Sequence, residues 1–479
     1  MIFPSYIFLL AFLPLAVTGW YAIRSLRWRL FFLTAASYVF YGWWDYRFAF
    51  LMLASTLLDY VCGARIHASR DPVVRRRWLI ASIAGNLGSL GFFKYYGFFA
   101  ESAQTLLAAL DWHVSPPMLH IVLPLGISFY TFQSMSYTID IYRNRCAPTR
   151  DLLHFMTYVS MFPQLVAGPI VRYSEIEEQL RSIDHDRIRT GPICDGVWLF
   201  VIGLVKKVWI ADTLAPVAEH AFDISVSPGL FTAWSGALCY TFQLYFDFSA
   251  YSDMARGLGL MLGFSFPVNF NSPYKSGNIA EFWNRWHITL SHWLRDYLYI
   301  PLGGSRCGTG RTIRNLAVTM LLGGLWHGAA WTFVVWGAFH GVLLSVHAAW
   351  KRMTGWRLTR AVAVPLTFGC VVVGWVLFRS GSLHRAGQML AAMVGANGVE
   401  PLSYRSATLG LSLPRIYSQF GGLHGVLFLS VVAAAAFWAP NSEQLPKPRR
   451  AVCGVALGVV VAVTLTTLTK PTPFLYFTF

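Results

Sequence analysis

Two segments, EFWNRWHITLSHWLRDYLYIPLGGSR (residues 281–306) and LLGGLWHGAAW (321–331), decide how this chain is read. A basic loop joins them, and they place two histidines, His287 and His327, forty residues apart. The first lies in a Trp-rich helical pattern. The second lies between Gly-Gly-Leu-Trp and Gly-Ala-Ala in an apolar run of membrane length, thirteen residues past Arg314. At ~1.5 Å of rise per residue it sits roughly 20 Å inside the membrane boundary, where an ionisable side chain is costly and is a functional hypothesis by default. A neutral imidazole there can take a proton from a hydroxyl.

Read as one helix, 281–300 sorts Phe282, Trp283, Trp286, Leu290, Trp293, Leu294 and Tyr297 onto one face. Glu281, Asn284, Arg285, His292, Arg295 and Asp296 fall on the other, with Ile288 as an exception. Such a helix lies in the membrane interface or lines a polar cavity. His287 falls on the border of the faces, beside Ser291. The plainer reading makes it a polar-face histidine bonded to a neighbour. His327 has its own plain reading, a packing histidine among Gly323, Gly324, Gly328, Ala329 and Ala330. The same small residues also leave room for a substrate.

The whole chain has a membrane composition. Its 479 residues are 55% hydrophobic and 13% charged, with nineteen Trp, and the mean hydropathy is +0.48. Apolar runs recur near 5–23, 30–44, 48–63, 78–99, 119–137, 152–170, 193–212, 229–248, 315–334, 335–350, 361–378, 423–439 and 451–468. A span needs about 20 residues, so the expectation is an all-α polytopic protein with about eleven transmembrane helices plus shorter re-entrant and interfacial ones. Residues 1–479 read as one membrane-embedded domain, with no fixed repeat and no linker to a soluble part. Lys and Arg cluster between the runs, at Arg24 to Arg29, Arg75 to Arg77, Arg143 to Arg150, Arg306 to Arg314, Lys351 to Arg360 and Lys447 to Arg450. The net charge of +16 is therefore a positive-inside topology signal and gives no reason to expect nucleic acid. These clusters should be cytoplasmic, with both termini and 379–422 outside; the broken runs leave the parity of 98–212 open. The opening run reads as a retained anchor. The seven cysteines show no CxxC and no ligand spacing, so neither a disulfide framework nor a metal site is expected.

Other polar intrusions are individually weaker. Asp247 and Asp253 end an apolar run, where a carboxylate must be paired or wet; either could orient a histidine or bind an arginine such as Arg256 or Arg285. The tail 470–479, KPTPFLYFTF, is aromatic enough to need a docking place. No Walker A loop, nucleophile elbow, HExxH or dinucleotide fingerprint is present in the sequence.

The two opening segments, with LPLGISFYTFQSMSYTIDIYR (123–143), FPQLVAGPIVR (162–172), QLYFDFSAYSDMARG (243–257) and the terminal PFLYFTF, closely resemble the membrane-bound O-acyltransferase (MBOAT) family. The nearest branch is similar to the membrane subunits of bacterial alginate O-acetylation. The resemblance implies tilted helices around a central funnel, whose thin floor separates a cytoplasmic donor cavity from an outward acceptor cavity. It makes 281–331 the catalytic block, His327 the general base, and His287 the group that binds the thioester carbonyl or orients the reactants. Trp286, Asn284, Arg285, Trp326 and Asp247 are then expected to contact substrate, and Arg306 and Arg311 to hold donor phosphates. The expected donor is acetyl-CoA or a carrier-bound acyl group, with no permanently bound cofactor. The expected acceptor is an extracytoplasmic polysaccharide, reached through a periplasmic SGNH-type acetyltransferase partner at a bacterial inner membrane. Tyr476 is expected to act as an acyl-relay nucleophile, although the tail ends Phe-Thr-Phe where relatives usually carry Gln or Asn. The rival readings are a D-alanyl or fatty-acyl transferase of the same family and, outside enzymes, a transporter.

Overall fold

The computed structural model describes residues 1–112, 117, 119, 121–182, 190–356, 358–400, 403–405, 412–414, 423–445, 454, 458, 462, 474 and 475. Among the described residues regular structure is helical apart from one short antiparallel pair, Ser403–Arg405 with Ser412–Pro414, in which Tyr404 stands opposite Leu413. Among the described residues three helices are long and apolar enough to cross a membrane: Tyr46–Ala68, Trp331–Met353 and Arg360–Arg379. Two of the other apolar runs are interrupted. The run 119–137 becomes helical only at Ile127, and 152–170 breaks between Ser160 and Phe162. The chain divides into two compact units, each drawn from separate stretches of sequence.

The first unit comprises Met1–Ile202, Tyr251–Pro267 and Lys447–Thr478. Three of its helices start where an aspartate side chain caps them. Asp45, Asp71 and Asp151 each accept a hydrogen bond from the backbone N–H two residues on, ahead of Tyr46–Ala68, Pro72–Leu90 and Leu152–Ser160. Interruption frees backbone groups that lipid cannot satisfy, and side chains take over. Gln133 and Gln164 both donate through Nε2 to the Tyr158 carbonyl at 2.8 Å, while the Tyr158 hydroxyl donates to Gln133 O and Val171 O at 3.1 Å. Gly126 has φ +73°, and a Cβ there would lie 2.9 Å from the Leu165 carbonyl, so the close approach needs glycine. A second polar knot joins three helices: Ser82 and Asn86 donate to the fully buried Asp59 at 2.5–3.0 Å, and Ser82 shares a 2.8 Å hydrogen bond with Thr138.

The second unit comprises Gly203–Ala250, Val268–Pro446 and Phe479. Its centre is the hairpin of Thr309–His327 and Trp331–Met353, which pack directly on one another. Glycines bring their backbones together: a Cβ on Gly324 would lie 2.2 Å from the Phe333 carbonyl, and one on Gly337 would lie 2.4 Å from the Met320 carbonyl. The expected spans 315–334 and 335–350 are therefore redrawn. The helix starts before the apolar run and ends at His327, and the next begins at Trp331. Arg360–Arg379 packs against Trp331–Met353.

Candidate functional site

The stretch read as one helix over 281–300 is instead broken at His287. Ile279–Trp283 forms a short helix capped by Asn278, whose side chain accepts from the Glu281 N–H. The backbone then turns, and His287 adopts φ 43°, ψ 54° immediately before Ile288–Leu294. A wider, π-type turn follows at Arg295–Tyr299. No Gly or Pro at 284–287 signals this break. Its cause lies in the preceding irregular segment: Asn271 N–H donates to Arg285 O at 2.9 Å, and Ile288 N–H donates to Asn269 O at 3.0 Å. The Asn269 side chain accepts from the Thr289 N–H at 3.2 Å and from its hydroxyl at 3.0 Å. The same oxygen lies 3.2 Å from His287 Nδ1. A non-glycine residue in the left-handed region costs about 1 kcal/mol or more and persists only where its surroundings impose it. Here they aim a wholly buried imidazole.

His327 reaches the same place from another direction, as the last residue of Thr309–His327, and is 6% exposed. The two imidazoles share one indole. The Trp326 ring centre lies 6.1 Å from His287 and 5.1 Å from His327, nearly perpendicular to the second at 79°. Phe248 meets His287 edge-on at 4.8 Å, and Trp336 and Phe378 each meet His327 edge-on at 5.2 Å. This aromatic shell excludes bulk water, which strengthens any hydrogen bond made inside it. The helix positions also differ in electrostatics. A residue at a helix C-terminus sits beside partial negative charge, which stabilises a proton taken up during reaction; one at an N-terminus does not.

The remaining sequence-derived residues separate into groups. Trp286 is buried in the shell, stacked on Phe282 at 5.7 Å and 17°, and 4.8 Å from Trp375. Asn284 is exposed, and Arg285 forms an ion pair with Glu281 at 2.9 Å, which ties the turn to the helix before it. Arg306 and Arg311 are exposed at the opposite end of the helix that finishes in His327. Cys307 and Asn315 fold the intervening glycine loop back by donating to Gly304 O. Asp247 is buried and pairs with Lys207 at 2.6 Å. The same ammonium reaches Asp212 at 2.9 Å. Sequence reading missed Lys207, although Lys206-Lys207 closing an apolar run was a usable signal. It missed Asn269 as well, for which periodicity offers none. Tyr476 lies outside the described residues; in the same tail Phe474 is buried edge-on to Tyr251 at 4.9 Å.

Comparison with known proteins supplies a further finding. Residues 147–368 match the membrane-bound O-acyltransferase family, MBOAT. The chain is 48% identical over 395 residues to a probable alginate O-acetylase of Azotobacter vinelandii, covering 82% of this chain and 78% of that protein. It is 40% identical over 430 residues to a peptidoglycan O-acetyltransferase of Helicobacter pylori, covering 83% and 81%. To a teichoic acid D-alanyltransferase of Bacillus subtilis it is 26% identical over 336 residues, covering 64% and 84%.

Proposed function

We propose a reaction for the buried histidine pair that starts from one premise: this chain belongs to the membrane-bound O-acyltransferase family, and it is an O-acyltransferase integral to a membrane. The reaction is acetyl transfer from a cytoplasmic thioester, acetyl-CoA, toward O-acetylation of an extracytoplasmic polysaccharide such as alginate. Acetyl in preference to D-alanyl is supported by the far higher identity to the two O-acetylating relatives, 48% and 40% against 26%.

His327 takes the proton of the acceptor hydroxyl as its oxygen attacks the thioester carbonyl. The C–O bond forms, the tetrahedral intermediate collapses, the C–S bond breaks, and the imidazolium returns the proton to the departing thiolate. His287 orients the reacting groups: its Nδ1–H donates to Asn269 Oδ1, which fixes the ring and leaves Nε2 as an acceptor toward the acceptor hydroxyl. The observation that carries this reading is the single indole, Trp326, touched by both imidazoles inside the aromatic shell.

Arg306 and Arg311 hold the donor's phosphates at the cytoplasmic end. Tyr476 is the first acceptor on the outer side and hands the acetyl group to an SGNH-type acetyltransferase that modifies the polymer. A multi-pass inner-membrane protein of about eleven spans around a funnel is the matching architecture. Replacing His327 by Ala should abolish polymer acetylation in cells while the protein stays at wild-type level in the membrane; retained acetylation would sink the mechanism. For the relay, mass spectrometry of the wild-type tail should find an acetyl adduct on Tyr476 that Tyr476→Phe lacks, and a bare wild-type tyrosine excludes it.

A further inference from the structure

Far from the histidines in sequence, a groove of about 520 Å³ opens on the first unit, lined by Ile23, Arg24, Ser25, Trp28, Phe31, Phe32 and Ala35. Its origin is a helix break. Leu13–Ala22 ends at Ile23, whose backbone turns extended, and Leu26–Gly42 begins three residues later. The freed Ile23 carbonyl accepts from Arg29 Nε, and the Arg29 guanidinium lies 5.5 Å from the centre of the buried Trp20 ring. Arg29 therefore serves the fold and is buried. Arg24 and Arg27 are exposed, and among the described residues neither makes an ion pair.

The groove has two kinds of wall. Trp28 and Phe31 are 64% and 54% exposed, and with Phe32 and Ala35 they form an apolar trough along the following helix. Arg24 lines the groove at one end, where the helix starts, and Arg27 follows in the first turn of that helix. A ligand that satisfies both walls carries an anionic head and a long apolar tail. We propose that this groove binds one anionic glycerophospholipid, with its phosphate at Arg24 and Arg27 and an acyl chain along Trp28, Phe31 and Phe32. Charge complementarity selects this occupant over a neutral lipid, and the apolar trough selects it over a free phosphate ester. Trp beside cationic residues is the composition of a membrane interface, and a basic cluster at a helix end attracts anionic headgroups. The inference stands apart from the catalytic reading, because none of these residues belongs to the acyl-transfer site.

The test uses the full-length protein, delipidated in neutral detergent and titrated with phosphatidylglycerol by native mass spectrometry. Wild type should bind phosphatidylglycerol in preference to phosphatidylethanolamine by tenfold or more. Arg24→Gln with Arg27→Gln should weaken phosphatidylglycerol by roughly thirtyfold and leave phosphatidylethanolamine unchanged. Trp28→Ala should weaken both lipids. Glycerol phosphate at the same concentration should not displace the lipid. Thioester consumption in the variants should match wild type, which shows that the fold is intact. Equal phosphatidylglycerol affinity in wild type and the double-arginine variant overturns the proposal, as does displacement by glycerol phosphate.

Discussion

At the scale of single residues, the Asn269 side chain holds His287 in its left-handed conformation: its Oδ1 lies 3.2 Å from His287 Nδ1 and accepts from the Thr289 N–H and hydroxyl. Depth in an apolar run was enough to single out His327, because an imidazole there is expensive. His287 was legible as a residue type in a specific block, whereas its left-handed backbone was not, since Asn269 imposes it through contacts outside the local pattern. Asn269→Ala should therefore slow acetyl transfer by tenfold or more with little change in KM for the thioester, as judged by steady-state kinetics of the purified protein. Asn269→Asp keeps an acceptor at that position and should retain more of the rate. Asp247 was legible as a carboxylate needing a partner, and the partner proved to be a lysine. Lys207→Met strands a buried carboxylate and should cost on the order of 3–5 kcal/mol, read as a large drop in melting temperature in detergent. Lys207→Met combined with Asp247→Asn should recover part of that loss, and strict additivity of the two would show that the pair is uncoupled.

At the scale of helices, apolar length marked most runs, but their ends and breaks depended on side chains distant in sequence. The hairpin of Thr309–His327 and Trp331–Met353 is set by glycine contacts that a one-dimensional pattern registers only as small residues. Gly324→Ala forces a methyl group against the Phe333 carbonyl and should destabilise the protein by about 1–3 kcal/mol or more, whereas Gly310→Ala, with nothing within 4 Å, should be neutral or slightly stabilising. Thermal stability of the two variants in the same detergent separates them. Another tie is Glu400, whose carboxylate accepts from the N–H groups of Phe231 at 2.8 Å and Thr232 at 3.0 Å, capping the long helix Leu230–Met261. Partial burial raises this carboxyl, but the hydrogen bonds from Phe231 and Thr232 outweigh it and hold it at about 2, below its ordinary 4.5. Because the folded value is the lower one, the contribution is fully present above pH 4.5 and is lost as pH falls toward 2. Glu400→Gln should therefore lower the melting temperature at pH 7 and flatten its pH dependence across that window; an unchanged slope would remove Glu400 from the helix cap.

At the scale of the whole molecule, composition and basic clusters identified a helical membrane protein, and the family blocks identified an O-acyltransferase. Among the described residues three helices meet the length and hydropathy of a span, and the run 152–170 is broken between Ser160 and Phe162, where the Gln133 and Gln164 side chains donate to the Tyr158 carbonyl. The positive-inside reading assigns sides all the same. In a cysteine-free background, Ala396→Cys should react with an impermeant maleimide added outside intact cells, and Thr354→Cys should react only after permeabilisation; the reverse pattern would invert the topology. The central claim, that His327 is the base of acyl transfer and His287 the residue that orients the reacting groups, is tested most directly by single-turnover consumption of acetyl-CoA by purified protein in lipid nanodiscs. His327→Gln should lose at least a thousandfold in rate with acetyl-CoA binding unchanged, and His287→Gln should lose less, on the order of a hundredfold. A His327→Gln protein that consumes acetyl-CoA at the wild-type rate would contradict it.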